Sequence, residues 1–168
     1  MIKWLKKNIF YREPLDQEIS FRMTELAAER MLELKNGLGL KTMAKLTTRA
    51  LIILDVCLLQ TQHGGTLLIQ GKDMEDVILS YGEILGREEK VTKTSGPDKK
   101  TIVWRFKFSK TEKERLNDLK DNHEFSSISE IFRNAMKLAS KLYSFYLEHD
   151  AKFHFSYSDG DKQELIID

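Results

Sequence analysis

One cysteine in 168 residues, Cys57, leaves nothing to pair with inside the chain. It sits in the apolar run "ALIILDVCLL", where a thiol in a reducing compartment packs as a small hydrophobe. A membrane-crossing helix needs roughly 18 consecutive apolar residues. No run reaches that length, and "ALIILDVCLL" is itself broken by Asp55. The four histidines, His63, His123, His149 and His154, have no Cys-x-x-Cys beside them and read as surface residues in turns or near strand starts. "DGD" at 159–161 lacks the ligand spacing and terminal Glu of an EF-hand loop, and reads as a hairpin turn. There is neither a glycine-rich phosphate loop nor a Gly-x-Ser-x-Gly nucleophile motif, so no reaction, cofactor or metal is expected. The opening "MIKWLKKNIFYR" has basic residues but neither the long apolar block nor the cleavage site of a secretory signal. A cytoplasmic protein without membrane attachment is the expectation.

What is present is a globular composition, 41% hydrophobic and 32% charged, with the charge unevenly spread. The formal net charge of +1 divides into +3 for residues 1–14, 0 for 15–62, −3 for 63–98, +5 for 99–146 and −4 for 147–168. A polyanionic partner would therefore meet residues 99–146 first, and the N-terminal segment second. Within the most cationic stretch, "TIVWRFKFSK" alternates Trp104, Phe106 and Phe108 with Val103, Arg105 and Lys107. Period two marks a half-buried strand, aromatic against a core and basic outward.

Sliding the chain against itself by 85 residues lays "EISFRM" on "VWRFKF" and continues without a gap. Each copy opens with an alternating strand, followed by Thr24 or Ser109 where a helix N-cap belongs. The first helix carries Leu26, Arg30, Met31 and Leu34, or Leu116 and Leu119. It ends at "NGLG" or "DNHEF", the second with Asn122 as the expected left-handed residue. The second helix buries Met43, Leu46, Ala50, Ile53 and Cys57, or Ile128, Ile131, Ala135, Leu138 and Leu142, at three- and four-residue spacing. A strand, a polar turn and another strand close each copy, with Gly71-Lys72-Asp73 and Asp159-Gly160 as turn signals. The organisation expected is α+β: a basic segment over 1–16, a first copy with its hairpin over 17–82, a linker over 83–100, and a second copy with its hairpin over 101–168. One strand-helix-helix unit cannot hide its own apolar faces, so the two copies must cover each other, their first strands pairing antiparallel.

This arrangement resembles the ribbon-helix-helix DNA-binding family of the Arc and methionine repressors. The copy "WRFKFSKTEKERLNDLKDNHEFSSISEIFRNAMKLA" carries the likeness most closely, including Ser-Glu-Ile at 129–131, and the first copy keeps the spacing. The resemblance covers residues 17–62 and 102–146 and implies a tandem ribbon-helix-helix pseudo-dimer, each copy followed by a β-hairpin. It implies double-stranded DNA as partner, with the two-stranded ribbon in the major groove. The base-reading positions it implies are Ser20, Arg22, Val103, Arg105 and Lys107. Glu18 shares that face but departs from the pattern, since a carboxylate near phosphates is repelled unless it accepts from a cytosine amine. Lys41, Thr42, Ser126 and Ser127, at the second-helix starts, are the implied phosphate contacts; plain N-capping is the alternative use of the two serines. The implied role is a transcriptional regulator or mobile-element accessory factor. The rival role is a protein-interaction scaffold, antitoxin-like or inhibitory, with weak or no DNA binding. The C-terminal hairpins are left to join each other, a second chain or a protein partner. The short amphipathic "IKWLKKNIF" packs on the body, touches DNA or touches an anionic surface.

Overall fold

Alternation in "QEISFRMT" makes strand β1, Gln17–Thr24, and the same alternation makes β4, Thr101–Phe108. The computed structural model describes residues 13–86 and 100–167; the N-terminal basic segment up to Arg12 and the linker residues 87–99 lie outside them. After β1 come α1 (Glu25–Gly37), α2 (Met43–Gln62), β2 (Thr66–Gln70), β3 (Val77–Leu79) and a one-turn helix α3 (Tyr81–Ile84). After β4 come α4 (Lys110–Asn122), α5 (Ile128–His149), β5 (Lys152–Ser156) and β6 (Lys162–Leu165). The chain is α+β with two small antiparallel sheets.

Helix starts are fixed by hydroxyls that satisfy otherwise orphaned backbone donors. Thr24 accepts from the Ala27 amide, Thr42 from Lys45, Ser109 from Glu112 and Ser127 from Glu130. The Glu112 carboxylate returns to the Ser109 amide at 2.8 Å, completing a capping box. The turn after α1 places Gly39 at φ +65°, and its counterpart 85 residues on is Glu124 at φ +56°. The left-handed residue of the second turn is therefore Glu124, not Asn122: the repeat preserves the position of the turn, even where glycine is not retained.

The first sheet is the pair β1–β4, in a register that sets Ser20 opposite Arg105. Those two residues are also 85 apart, so an approximate two-fold axis relating the copies passes between them. The second sheet has strand order β3-β2-β5-β6, because the two hairpins join through β2 and β5 with Leu68 opposite His154. The hairpins thus join each other within one chain, leaving β3 and β6 as its edges.

Between the sheets, α2 and α5 pack against one another. Leu46, Ala50, Ile53 and Cys57 of the first and Ile131, Ala135, Leu138 and Leu142 of the second are buried, as their spacing requires. Phe132 lies under the ribbon, stacked on Phe21 with ring centroids 4.4 Å apart and planes 8° from parallel. Phe106 and Phe108 close round the same ring. Each such side chain contributes about 1.5–3 kcal/mol by leaving water. On α1 the buried stripe runs through Ala28 and Met31, and Leu26 stays 57% exposed. His123 is buried, its Nδ1 paired with the Tyr81 hydroxyl at 2.6 Å, which joins α3 to the end of α4. Its exposure as a turn residue was the expectation; a phenol partner makes burial of the polar ring affordable.

Candidate nucleic-acid interface

Because side chains alternate along a strand, packing Phe21, Met23, Phe106 and Phe108 inward commits the residues between them to solvent. On the outer face Glu18 is opposite Lys107, Ser20 opposite Arg105, and Arg22 opposite Val103. All six are exposed. Side chains directly opposite in an antiparallel pair lie roughly 5 Å apart at Cβ, so these form one two-by-three array. All five sequence-derived reading positions, Ser20, Arg22, Val103, Arg105 and Lys107, fall in it, with Glu18 in one corner.

The axis between Ser20 and Arg105 gives the array an unequal symmetry. Arg22 and Lys107 occupy equivalent corners, so both ends of the ribbon carry a cation. The other two corners are Glu18 and Val103, so only one end carries a carboxylate beside its cation. Positive charge therefore accumulates at the centre, on Arg105, and towards the Arg22 end.

The second-helix starts differ more. At α5, the Ser126 amide and hydroxyl both donate to one Glu130 carboxylate oxygen, at 2.6 and 2.7 Å, while Ser127 caps the helix. That carboxylate occupies the place where an external anion would approach the helix N-terminus. At α2, the residue equivalent to Glu130 is Lys45, and Lys41, Thr42 and Lys45 are all exposed. The four sequence-derived phosphate positions thus form two unlike sites: Lys41 and Thr42 with an added lysine, and Ser126 and Ser127 with an internal carboxylate. The signal for the second was legible as Ser-x-x-Glu at 127–130, an N-terminal capping pattern.

Among the described residues no group of His, Cys, Asp and Glu is arranged to hold a metal ion, and no helix is long and apolar enough to cross a membrane. In "DGD" the Asp159 carboxylate accepts from the Asp161 amide at 3.0 Å, and Gly160 takes φ +90°, which is the geometry of a tight turn. No family model, curated protein or solved structure is similar enough to this chain to count as a match.

Proposed function

We propose that this chain is a sequence-specific double-stranded DNA-binding protein of the ribbon-helix-helix kind. Its two copies serve as a pseudo-dimer, and the β1–β4 ribbon enters the major groove as part of a transcriptional regulator or mobile-element accessory factor. The supporting observation is the register of β1 on β4, which gathers Ser20, Arg22, Val103, Arg105 and Lys107 into one exposed array on the repeat axis. Arg105 and Lys107 suit guanine O6 and N7, and Arg22 gives the other end an equivalent cation. Lys41, Thr42 and Lys45 hold the backbone at the first copy's helix start, where free amides and the helix dipole favour phosphate. Ser126 and Ser127 contribute less, because the Glu130 carboxylate already accepts from Ser126 and the Ser127 hydroxyl is engaged in capping the helix. Unequal copies read an asymmetric subsite.

The test is selection of bound duplexes from a randomised library by the purified chain, beside an Arg105→Ala, Lys107→Ala double variant. Enrichment of one asymmetric motif that the variant loses is the expected result. A strictly palindromic subsite bound by a single chain argues against unequal reading, and absence of any enrichment removes DNA reading altogether. Glu18 opposite Lys107 favours a second reading, a protein-interaction scaffold, because it offsets one of the ribbon's cations. DNA binding through several phosphates weakens steeply as salt rises, and a scaffold shows no such titration.

A further inference from the structure

The repeat makes one side of the molecule a template for the other. Asp55 of α2 holds Arg115 of α4 by two hydrogen bonds, Nε to Oδ2 at 2.9 Å and Nη2 to Oδ1 at 2.5 Å. The residues 85 positions away are Ser140 of α5 and Arg30 of α1. Where the template has a carboxylate, this side has a hydroxyl. Phe108 likewise corresponds to Met23, so an aromatic ring is replaced by a slimmer side chain. The side that lacks both the counter-charge and the bulk opens into a cleft of ≈ 700 Å³ between α1, α5 and the Arg22 end of the ribbon.

The lining separates by chemistry. Met23, Met31, Phe132 and Met136 are buried and form an apolar floor. Arg22, Arg30, Arg133 and Lys141 are exposed and form the rim, and among the described residues no aspartate or glutamate lines the cleft. The volume falls in the range of small-molecule sites, roughly 300–1,000 Å³. Duplex nucleic acid offers phosphates to such a rim, but its backbone carries no flexible hydrocarbon to fill the floor beneath them. A methionine-rich floor adapts to flexible hydrocarbon, and the cations Arg22, Arg30, Arg133 and Lys141 at the rim select a negative head group.

We propose that this cleft binds a small amphipathic anion, with an acyl-like apolar body over the methionines and a carboxylate or phosphate head at Arg30 and Lys141. The head group supplies the counter-charge that Ser140 does not, completing on this side what Asp55 completes on the other. Arg22 belongs to both the cleft and the ribbon, so occupancy competes for one of the ribbon's cations. That consequence rests on the DNA reading; binding in the cleft does not.

The test uses the full chain without DNA, titrated calorimetrically with dodecanoate and dodecyl phosphate, and with dodecyltrimethylammonium as the cation of the same tail length. Either anion is expected to bind one to one, the stronger of the two identifying the head group, and the cation to give no saturable binding. Ser140→Asp, which rebuilds the template's ion pair, is expected to weaken the anion at least tenfold with no loss of thermal midpoint. Arg30→Gln with Lys141→Gln removes rim charge without touching the floor, and decides the matter if Ser140→Asp does not fold. Absence of binding by both anions, equal binding of the cation, or undiminished binding by a folded variant overturns the proposal. The isotherm needs no DNA, so its failure leaves the ribbon reading standing, and failure of the duplex selection leaves the cleft standing.

Discussion

Asp55 and Arg115 form a two-bond ion pair that ties the second helix of one copy to the first helix of the other. Asp55 is 8% exposed. The pair raises the Arg115 pKa above its ordinary value, chiefly through the hydrogen bonds to the carboxylate. A raised base contributes stability below its unfolded pKa and loses it only as pH climbs past that value. For a guanidinium this lies beyond the working range, so the pair is insensitive to pH on its basic side. Removing one partner strands the other. Asp55→Ala is expected to cost about 2–3 kcal/mol, and Asp55→Leu combined with Arg115→Met to recover most of it. Urea midpoints for Asp55→Leu alone, Arg115→Met alone and the two combined decide this, and additive losses would show that the ion pair is not the source.

Gly39→Ala isolates a backbone effect. An added Cβ meets nothing within 4 Å, yet the residue sits at φ +65°, where a side chain is strained. The expected loss is about 1 kcal/mol from backbone alone. Glu124→Ala, at the equivalent position with φ +56°, exchanges one non-glycine residue for another and leaves that backbone cost unchanged. Thermal melts of Gly39→Ala beside the unsubstituted chain measure that cost.

These positions also mark how far the sequence could be read. The strands, both long helices and their caps followed from period two, from three- and four-residue spacing, and from hydroxyls ahead of apolar runs. What failed to follow depended on partners far along the chain. Leu26 falls on an apolar pattern but faces water, because the phase of α1 is set by Ala28 and Met31 against the core. His123 is buried because Tyr81 reaches it from 42 residues away. The ribbon array was legible because the repeat offset and an antiparallel pairing together fix the register. The cleft was not, since the absence of an acid at Ser140 matters only once α1 is seen beside α5.

Cys57 is fully buried, and burial alone pushes its thiol pKa well above the ordinary value. The raised pKa means that the thiol adds stability below the unfolded value and that this is lost as pH rises past it. A disulfide reagent at pH 8 is expected to leave the native protein unlabelled and to react only as the chain unfolds, at a rate that follows urea concentration. Rapid labelling in native buffer would contradict the burial.

The four-stranded sheet makes each hairpin depend on the other copy, so both halves should unfold together. Phe155, 1% exposed and opposite Leu67, lies in that sheet, while Trp104 reports on the ribbon at the far side of the helices. Phe155→Ala is expected to cost about 3–4 kcal/mol. Trp104 fluorescence, in a Trp4→Phe background, should shift to lower urea in step with far-UV circular dichroism. Separate transitions would mean that the copies are stable units joined only by a linker.

Under the proposed DNA binding, the unequal helix starts predict unequal effects. Lys45 stands free of any carboxylate bond among the described residues and lies one turn into α2 behind Thr42, whereas Glu130 at the equivalent place in α5 engages Ser126. Lys45→Ala is expected to weaken binding to every duplex alike and to lower the magnitude of the salt slope by about 1, the signature of one lost phosphate contact. Ser126→Ala removes a hydroxyl whose bond is already internal, so its effect on DNA should be smaller than that of Lys45→Ala. On the ribbon, Glu18→Gln removes the only carboxylate of the reading face and is expected to tighten binding several-fold at low salt. Arg105→Ala should cost about 1–3 kcal/mol and relax preference at one base position. Fluorescence anisotropy across a salt series, on the selected duplex and a scrambled one, separates these outcomes. If Lys45→Ala leaves the slope unchanged while Arg105→Ala abolishes discrimination, the ribbon reads bases and the backbone is held elsewhere.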